Sequence, residues 1–328
     1  MWRSRMRLRP VYLALLLVSL WIGFGAQFAE AQPAVFPAAD RIVAIGDLHG
    51  DLHITRHVLR MARITNGLDQ WAAGKTVVVQ MGDVLDRGDE EQELLEFLAR
   101  LQKEAEAAGG ALHLLLGNHE LMNARQDFRY VTEGGFADFQ DAVTFDPADP
   151  LLAKLPAEQR ARAAAFRPGG PFAMQLARQN VAIIVGDNLF VHGGLLPQHL
   201  EIGIQEMNRQ TRRYLAGEGP MPDFLRGSDS PLWTRAYSDD PGPAECRQLF
   251  TVLKALGVRR MVVGHTVQEG GITPKCAGRV WCVDVGLSQH YGGPLSALEI
   301  QGNDVKGITK PRDQVARKNA KKPPLKKR

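Results

Sequence analysis

Five short apolar runs each lead straight into a glycine-bearing turn that carries a potential metal ligand. Ile42–Ile45 runs into Gly46-Asp47-Leu48-His49-Gly50, and Val77–Met81 into Gly82-Asp83-Val84-Leu85-Asp86-Arg87-Gly88. Leu112–Leu116 precedes Gly117-Asn118-His119-Glu120, Leu189–Val191 precedes His192-Gly193-Gly194, and Met261–Val263 precedes Gly264-His265-Thr266. A buried strand delivers its last side chains to the edge of a sheet, and glycine lets the backbone turn sharply there. In open α/β sheets that edge is where ligands bind. Oxygen and nitrogen donors gathered there, with no cysteine among them, imply a metal-assisted hydrolytic centre.

The segments between these runs read as parallel βα units. Strands are predicted at 41–45, 76–81 and 111–116, with helices near 52–64 and over 91–108. The second helix has Leu94, Leu95, Leu98 and Leu101 on its apolar face and acidic residues opposite. Residues 121–180 are too long for a plain connection and are expected to form a helical cap over the sheet edge, including a polar helix near 156–165. A hairpin is predicted about Gly186-Asp187-Asn188, and residues 200–256 read as mostly helical or irregular. Late strands are expected near 259–263, 279–285 and 295–300.

The overall charge of +4 hides its distribution. Residues 1–31 carry +3 and residues 310–328 carry +8, which leaves −7 for the body over 32–309. A mildly acidic body argues against a nucleic-acid partner. Residues 1–31 read as a signal peptide: Arg3, Arg5, Arg7 and Arg9, then an apolar Val11–Gly25, then Ala29-Glu30-Ala31 as a cleavage site. Export, to the periplasm, is the expectation, with an uncleaved membrane anchor as the alternative. The basic stretch 310–328 is expected to be a disordered tail able to contact anionic surfaces. Of the three cysteines, Cys276 and Cys282 flank a predicted turn at 277–279, and an exported chain could oxidise them. The turn sets the two only diagonally opposite, wider than a disulfide prefers, so the sequence leaves that bridge open.

Asp47 and His49, two apart on an extended backbone, point the same way and with Asp83 form one candidate metal site. Asp83 can bridge to a second ion, with Asn118, His192 and His265 completing it. Two such ions would hold a hydroxide poised for in-line attack on phosphorus. Carboxylate, amide and imidazole donors suit Mn, Fe or Zn better than Mg or Ca. Arg87 can fork onto phosphate oxygens, and Arg235, in Pro231-Leu232-Trp233-Thr234-Arg235, is the candidate for a second clamp. His119 can protonate the leaving oxygen, with Asp86 orienting its ring. Asn118 and Tyr291 are further candidate substrate contacts. His53, His57, His113, His199 and Asp187 are read as structural, with His53 the nearer of the helix pair to the site.

The motifs Gly-Asp-x-His-Gly, Gly-Asp-x-x-Asp-Arg-Gly and Gly-Asn-His-Glu, followed by His-Gly-Gly and a lone histidine, resemble the phosphoprotein phosphatases within the calcineurin-like metallophosphoesterases. The resemblance spans roughly residues 41–300 in order and spacing. It implies an α/β fold with a β-sandwich of mixed sheets flanked by helices, a two-metal centre and phosphomonoester hydrolysis. It also supports the ligand and clamp roles given above. Eukaryotic serine/threonine members have arginine where Leu116 stands, and a Ser-Ala-Pro-Asn-Tyr-Cys loop where this chain has Asp284–Tyr291. The long 121–180 segment, Arg129-Tyr130-Val131-Thr132 and Gly264-His265-Thr266 resemble instead the bacterial-type, Shewanella-like branch. Some of that branch prefer phosphotyrosine. Two other functions stay open: a dinucleoside polyphosphate hydrolase, stacking a base among Phe128, Tyr130, Trp233 and Tyr291, and an inactive phospho-ligand binding module. The second is disfavoured because no ligand, clamp or acid position is missing.

Overall fold

A computed structural model describes residues 33–312. The expected signal peptide lies outside them. In chain order the elements are β1 (Val35–Phe36), β2 (Ile42–Ile45), α1 (Leu52–Met61), β3 (Val77–Gln80), α2 (Glu91–Ala107), β4 (Ala111–Leu114) and α3 (Asn118–Ala124). Next come α4 (Glu133–Asp138), α5 (Ala157–Phe166), α6 (Pro171–Leu176), β5 (Ala182–Val185), β6 (Asn188–Val191) and α7 (Ile204–Leu215). The chain ends with α8 (Pro243–Leu256), β7 (Arg260–Val263), β8 (Thr273–Lys275), β9 (Val280–Cys282), β10 (Leu295–Gln301) and β11 (Asp304–Lys310).

The strands form two mixed sheets, β11-β10-β2-β3-β4 and β1-β5-β6-β7-β9-β8. In the first, β2, β3 and β4 run parallel, and β10 joins β2 antiparallel. In the second, β6, β7 and β9 run parallel. Side chains alternate faces along a strand, and here both faces are covered. Ile42, Ala44, Val79 and Met81 of the first sheet pack against Ile183, Val185, Phe190 and Val262 of the second. The opposite faces, Val43 and Ile45, and Val191 and Val263, meet helices. Hence β2 and β5 read as unbroken apolar runs, and β6 and β7 as apolar runs after a polar first residue, rather than as alternating ones.

The 121–180 segment forms α4, α5 and α6, with a small core of Phe128, Leu152, Ala163 and Ala164. It packs on α2 and α3. Two features differ from the sequence reading. β11 is an additional, mostly exposed edge strand that ends at Lys310, and Arg312 donates to the carbonyls of Leu287, Ser288 and Gly293. Ordered contacts therefore run into the stretch expected to be disordered from 310; residues 313–328 lie outside the described ones. The disulfide joins Cys246 of α8 to Cys276, while Cys282 is free and buried. Cys276 sits in the β8–β9 turn with positive φ, and Cys282 pairs across the hairpin with Thr273, so the 276–282 bridge left open by the sequence does not form. Among the described residues no helix is long and apolar enough to cross a membrane.

Candidate metal centre

Asp47 and His49 follow β2; Asp83, Asp86 and Arg87 follow β3; Asn118 and His119 open α3; His192 follows β6 and His265 follows β7. His49, Asp83, Asp86, Arg87 and His265 all hold φ between 48° and 68°, a left-handed region that non-glycine residues rarely adopt. Each such residue stores strain of about 1 kcal/mol or more, so the surroundings must impose it. They do so through hydrogen bonds: the amides of Leu48 and His49 both donate to the Asp83 carbonyl (3.0 and 2.9 Å). Buried Glu120 accepts from the amides of Asp83, Val84, Leu85 and Gly117 at 2.7–3.1 Å. The last residue of the Gly-Asn-His-Glu motif thus ties the β3 turn to the β4 turn. A Cβ on Gly117 would lie 2.1 Å from Asp83 Oδ1, and one on Gly264 2.5 Å from Asp47 Oδ1, so both turns need glycine to leave those carboxylates room.

Two groups of donors share Asp83. His49, Asp83 and His119 form one, and Asp83, His192 and His265 the other, each with ligand atoms within 4.8 Å of one another. Asp83 Oδ2 lies 3.3 Å from His192 Nε2 and 3.8 Å from His119 Nε2. Asn118 Oδ1 is 3.0 Å from His192 Nε2. Asp47 belongs to neither group; both its oxygens sit 3.2 Å from the His265 amide. Three imidazoles are aimed by their second nitrogen: His49 Nδ1 at the Leu85 carbonyl (3.0 Å), His192 Nδ1 at Met81 (2.7 Å) and His265 Nε2 at Trp233 (3.1 Å). A ring that donates to a carbonyl keeps its other nitrogen as a lone-pair donor, the usual outer support of a metal-binding histidine.

The electrostatics fit bound cations. Burial, together with the nearby charges of Asp284 and Asp83, holds Asp47 well above the usual carboxylate range. Burial opposes charge on Asp83 as well, but His192 and His119 outweigh it and keep that carboxylate well below its ordinary pKa. Burial pushes His49 down to about 3 and His265 down to about 2, so both present neutral nitrogen. Asp284, raised to about 6 chiefly by burial, adds a further acid beside Asp47 and Asp83. Buried carboxylates and neutral imidazoles without thiolate form a donor set for a hard or borderline cation.

The substrate side of the cleft is lined differently. The Arg87 guanidinium lies 4.4 Å from the Tyr130 ring and 5.2 Å from the Tyr291 ring, and Nη1 is 3.1 Å from His290 Nε2. Tyr291 also faces His49, with ring centroids 5.5 Å apart. Arg235 is exposed and donates to the His265 carbonyl (3.0 Å) and Thr266 Oγ1 (2.8 Å), which sets it beside the last histidine of the site. His119 Nδ1 is 2.6 Å from Asp86 Oδ2.

Residues 40–269 match the family described as calcineurin-like phosphoesterase. The chain belongs to that family. A relative from Arabidopsis thaliana, Shewanella-like protein phosphatase 2, is 39% identical over 298 residues, covering 81% of this chain and 76% of the relative. Shewanella-like protein phosphatase 1 of Plasmodium berghei is 29% identical over 282 residues, covering 82% and 74%. Among solved structures, the cold-active protein-tyrosine phosphatase of a psychrophilic Shewanella superposes with a TM-score of 0.69 at 26% identity, covering 84% of this chain and 79% of that one. The phosphoesterase is thus a metal-dependent hydrolase of phosphoesters in the Shewanella-like phosphatase branch, with the mixed-sheet sandwich of that fold.

The other histidines sit apart from this site. His53 and His57 stack on each other along α1 at 4.4 Å. His113 packs on Phe36 at 4.1 Å, and His199 Nδ1 accepts from the Leu196 amide. Asp187 sits in the β5–β6 turn, paired with Arg259 at 2.8 Å. Of the four aromatics considered for base stacking, Phe128 is buried in the cap core against Phe136, which leaves no four-ring pocket. Sequence reasoning passed over Glu120, Asp284, Glu91, Asn123 and Arg162. Asp284 carried a usable signal, since it too follows an apolar stretch, two residues before a glycine. Glu91 opens α2 and is fully buried, whereas Glu93 and Glu96 of the same helix are exposed.

Proposed function

We propose that the phosphoesterase is a two-metal phosphomonoesterase acting on phosphorylated proteins, with a preference for phosphotyrosine. The observation that carries the two-metal reading is the sharing of Asp83 by both donor groups. Asp47, His49 and Asp83 would hold one ion, and Asp83, Asn118, His192 and His265 the other, with Mn, Fe or Zn the metals such donors suit. Ions bound there would supply positive charge opposite the phosphoryl oxygens and acidify water toward neutral pH. Arg87 and Arg235 bind the phosphate dianion from the rim, each able to engage two oxygens through a planar fork. Asn118 and Tyr291 contact the bound ester from the ligand side and the rim. His119 holds a proton on Nε2 for the departing oxygen, while Asp86 fixes the ring through Nδ1. Burial opposes charge on His119, but Asp83 and the hydrogen bond that the ring donates to Asp86 carry its pKa upward, which suits a donor.

Tyr130 and Tyr291 on either side of Arg87 form an aromatic mouth that favours an aryl phosphate over an alkyl one. The tyrosine phosphatase named among the structural neighbours supports the same preference. The Cys246–Cys276 disulfide supports export to an oxidising compartment such as the periplasm. The deciding experiment compares turnover of phosphotyrosine, phosphoserine and dinucleoside tetraphosphate substrates by one preparation, with metal content measured on the same sample. Faster turnover of the dinucleotide than of both phosphopeptides would overturn the assignment.

A further inference from the structure

The helical insertion reaches beneath the proton-donating pair. Arg162 of α5 is fully buried, as are Asp86, Glu91 and Asn123. Its Nη2 lies 3.1 Å from Asp86 Oδ1, its Nε donates to Asn123 Oδ1 at 2.7 Å, and Nη1 donates to the Gly135 carbonyl at 3.0 Å and to Glu91. Asn123 Nδ2 in turn donates to Asp86 Oδ1 (2.8 Å) and to the His119 carbonyl (2.9 Å). The second Glu91 oxygen accepts from the Asp86 amide. Phe139 and Phe166 cover the guanidinium at 4.9 and 5.2 Å. The ring of contacts closes through α2, α3, α4 and α5.

We propose that Arg162 is a positioning residue for proton donation, holding one oxygen of Asp86 so that the other keeps His119 aimed at the leaving group. An aspartate's terminal torsion is broad and nearly two-fold, so a carboxylate with only one partner does not fix its plane. Here Oδ2 has the imidazole and Oδ1 has two donors, which leaves a single orientation. Stability does not by itself account for such an arginine, because well-packed apolar residues commonly replace buried ion networks without loss. What an apolar residue could not supply is a donor to Oδ1. The cap thereby contributes to the chemistry through Arg162 as well as through Tyr130, which lines the cleft beside Arg87 and His119.

This inference rests on His119 being the acid, and the test separates the two. Arg162→Lys, Asn123→Ala and the pair Arg162→Met with Glu91→Gln are compared with His119→Asn and Asp86→Asn. Substrates are phenyl phosphate, a poor leaving group, and p-nitrophenyl phosphate, a good one. Lysine cannot reproduce the planar fork, so Arg162→Lys should lower kcat on phenyl phosphate about tenfold or more with KM held. The loss on p-nitrophenyl phosphate should stay within about twofold, since that leaving group needs little protonation. In the Asp86→Asn background Arg162→Lys should have no further effect, because the arginine acts through that carboxylate. Metal content and the unfolding transition are measured for every variant. If Arg162→Lys fails to fold, the Met/Gln pair, which removes the cation together with its partner acid, carries the same comparison. Equal losses on both substrates, or full additivity with Asp86→Asn, overturn the role of Arg162. If His119→Asn also shows no leaving-group dependence, it is the acid assignment that has failed.

Discussion

The first sheet brings its site residues on loops that are themselves braced: Glu120 collects four amides, and Asp86 is gripped by Asn123 and Arg162 before it touches His119. The second sheet brings His192 and His265 singly, each aimed by one ring nitrogen on a backbone carbonyl. The acids and the proton donor need a closed polar surround, because a buried carboxylate without partners is costly. A metal-binding imidazole needs only the correct tautomer and direction. The contrast explains why one side of the cleft depends on the inserted helices and the other on bare strand ends.

Breaking the element common to both sides should have the largest effect. Asp83→Asn removes charge from the carboxylate that both donor groups share, and activity should fall by about 10⁴-fold or more, given several kcal/mol of charge stabilisation at each ion. Metal content per chain should drop in parallel, and chelation of the native protein followed by Mn²⁺ should remove and restore activity. Wild-type turnover by a chelated Asp83→Asn sample would sink the two-metal reading.

His119→Asn tests the first-sheet side alone. A general acid contributes about 10²-fold or more, so phosphoserine turnover should fall by that factor while p-nitrophenyl phosphate is largely spared. A uniform loss would assign His119 to metal or phosphate binding, consistent with its 3.8 Å approach to Asp83. Next in size is Arg235→Lys, on the second-sheet side. Losing the planar fork should reduce kcat/KM about tenfold with both kcat and KM affected and metal content unchanged. Arg212→Lys and Arg213→Lys serve as controls, and an Arg235→Lys profile matching theirs would move the clamp elsewhere.

The smallest catalytic effect is expected from the disulfide. Cys246 and Cys276 lie 30 residues apart, and opening a loop of that length lowers stability by about 3.6 kcal/mol on the chain-entropy account. Reduction should therefore lower Tm while kcat at low temperature changes little. An unchanged Tm would show that α8 and the β8–β9 turn hold together without the bond.

The strands, the helices beside them and the convergence of His49, Asp83, His192 and His265 were legible because each is encoded locally, as an apolar run followed by glycine and a donor. His265 stood out in Gly264-His265-Thr266 although it meets Asp47 across 218 residues of chain. What could not be read depends on packing between distant segments. Arg162 sits in a helix that looks polar and solvent-facing, and only the meeting of α5 with α2 and α3 buries it. Cys246 lies in α8, far from the hairpin that supplies Cys276. β11 is polar and contains Lys306 and Lys310, the composition by which edge strands avoid further pairing, and without an apolar run it gave no strand signal.

The buried guanidinium also constrains how this protein can be shortened or diversified. Helices inserted between two parts of an enzyme are often treated as accessories, free to be trimmed in engineering or exchanged between relatives. Here, deleting 121–180 would strand Glu91 and Asp86 as two interior acids with no cation between them. A compact variant, whether built or inherited, would need to change residue 91 at the same time or bring a replacement positive group from elsewhere. Recombination breakpoints within this branch should therefore keep positions 86, 91, 123 and 162 together as one heritable block.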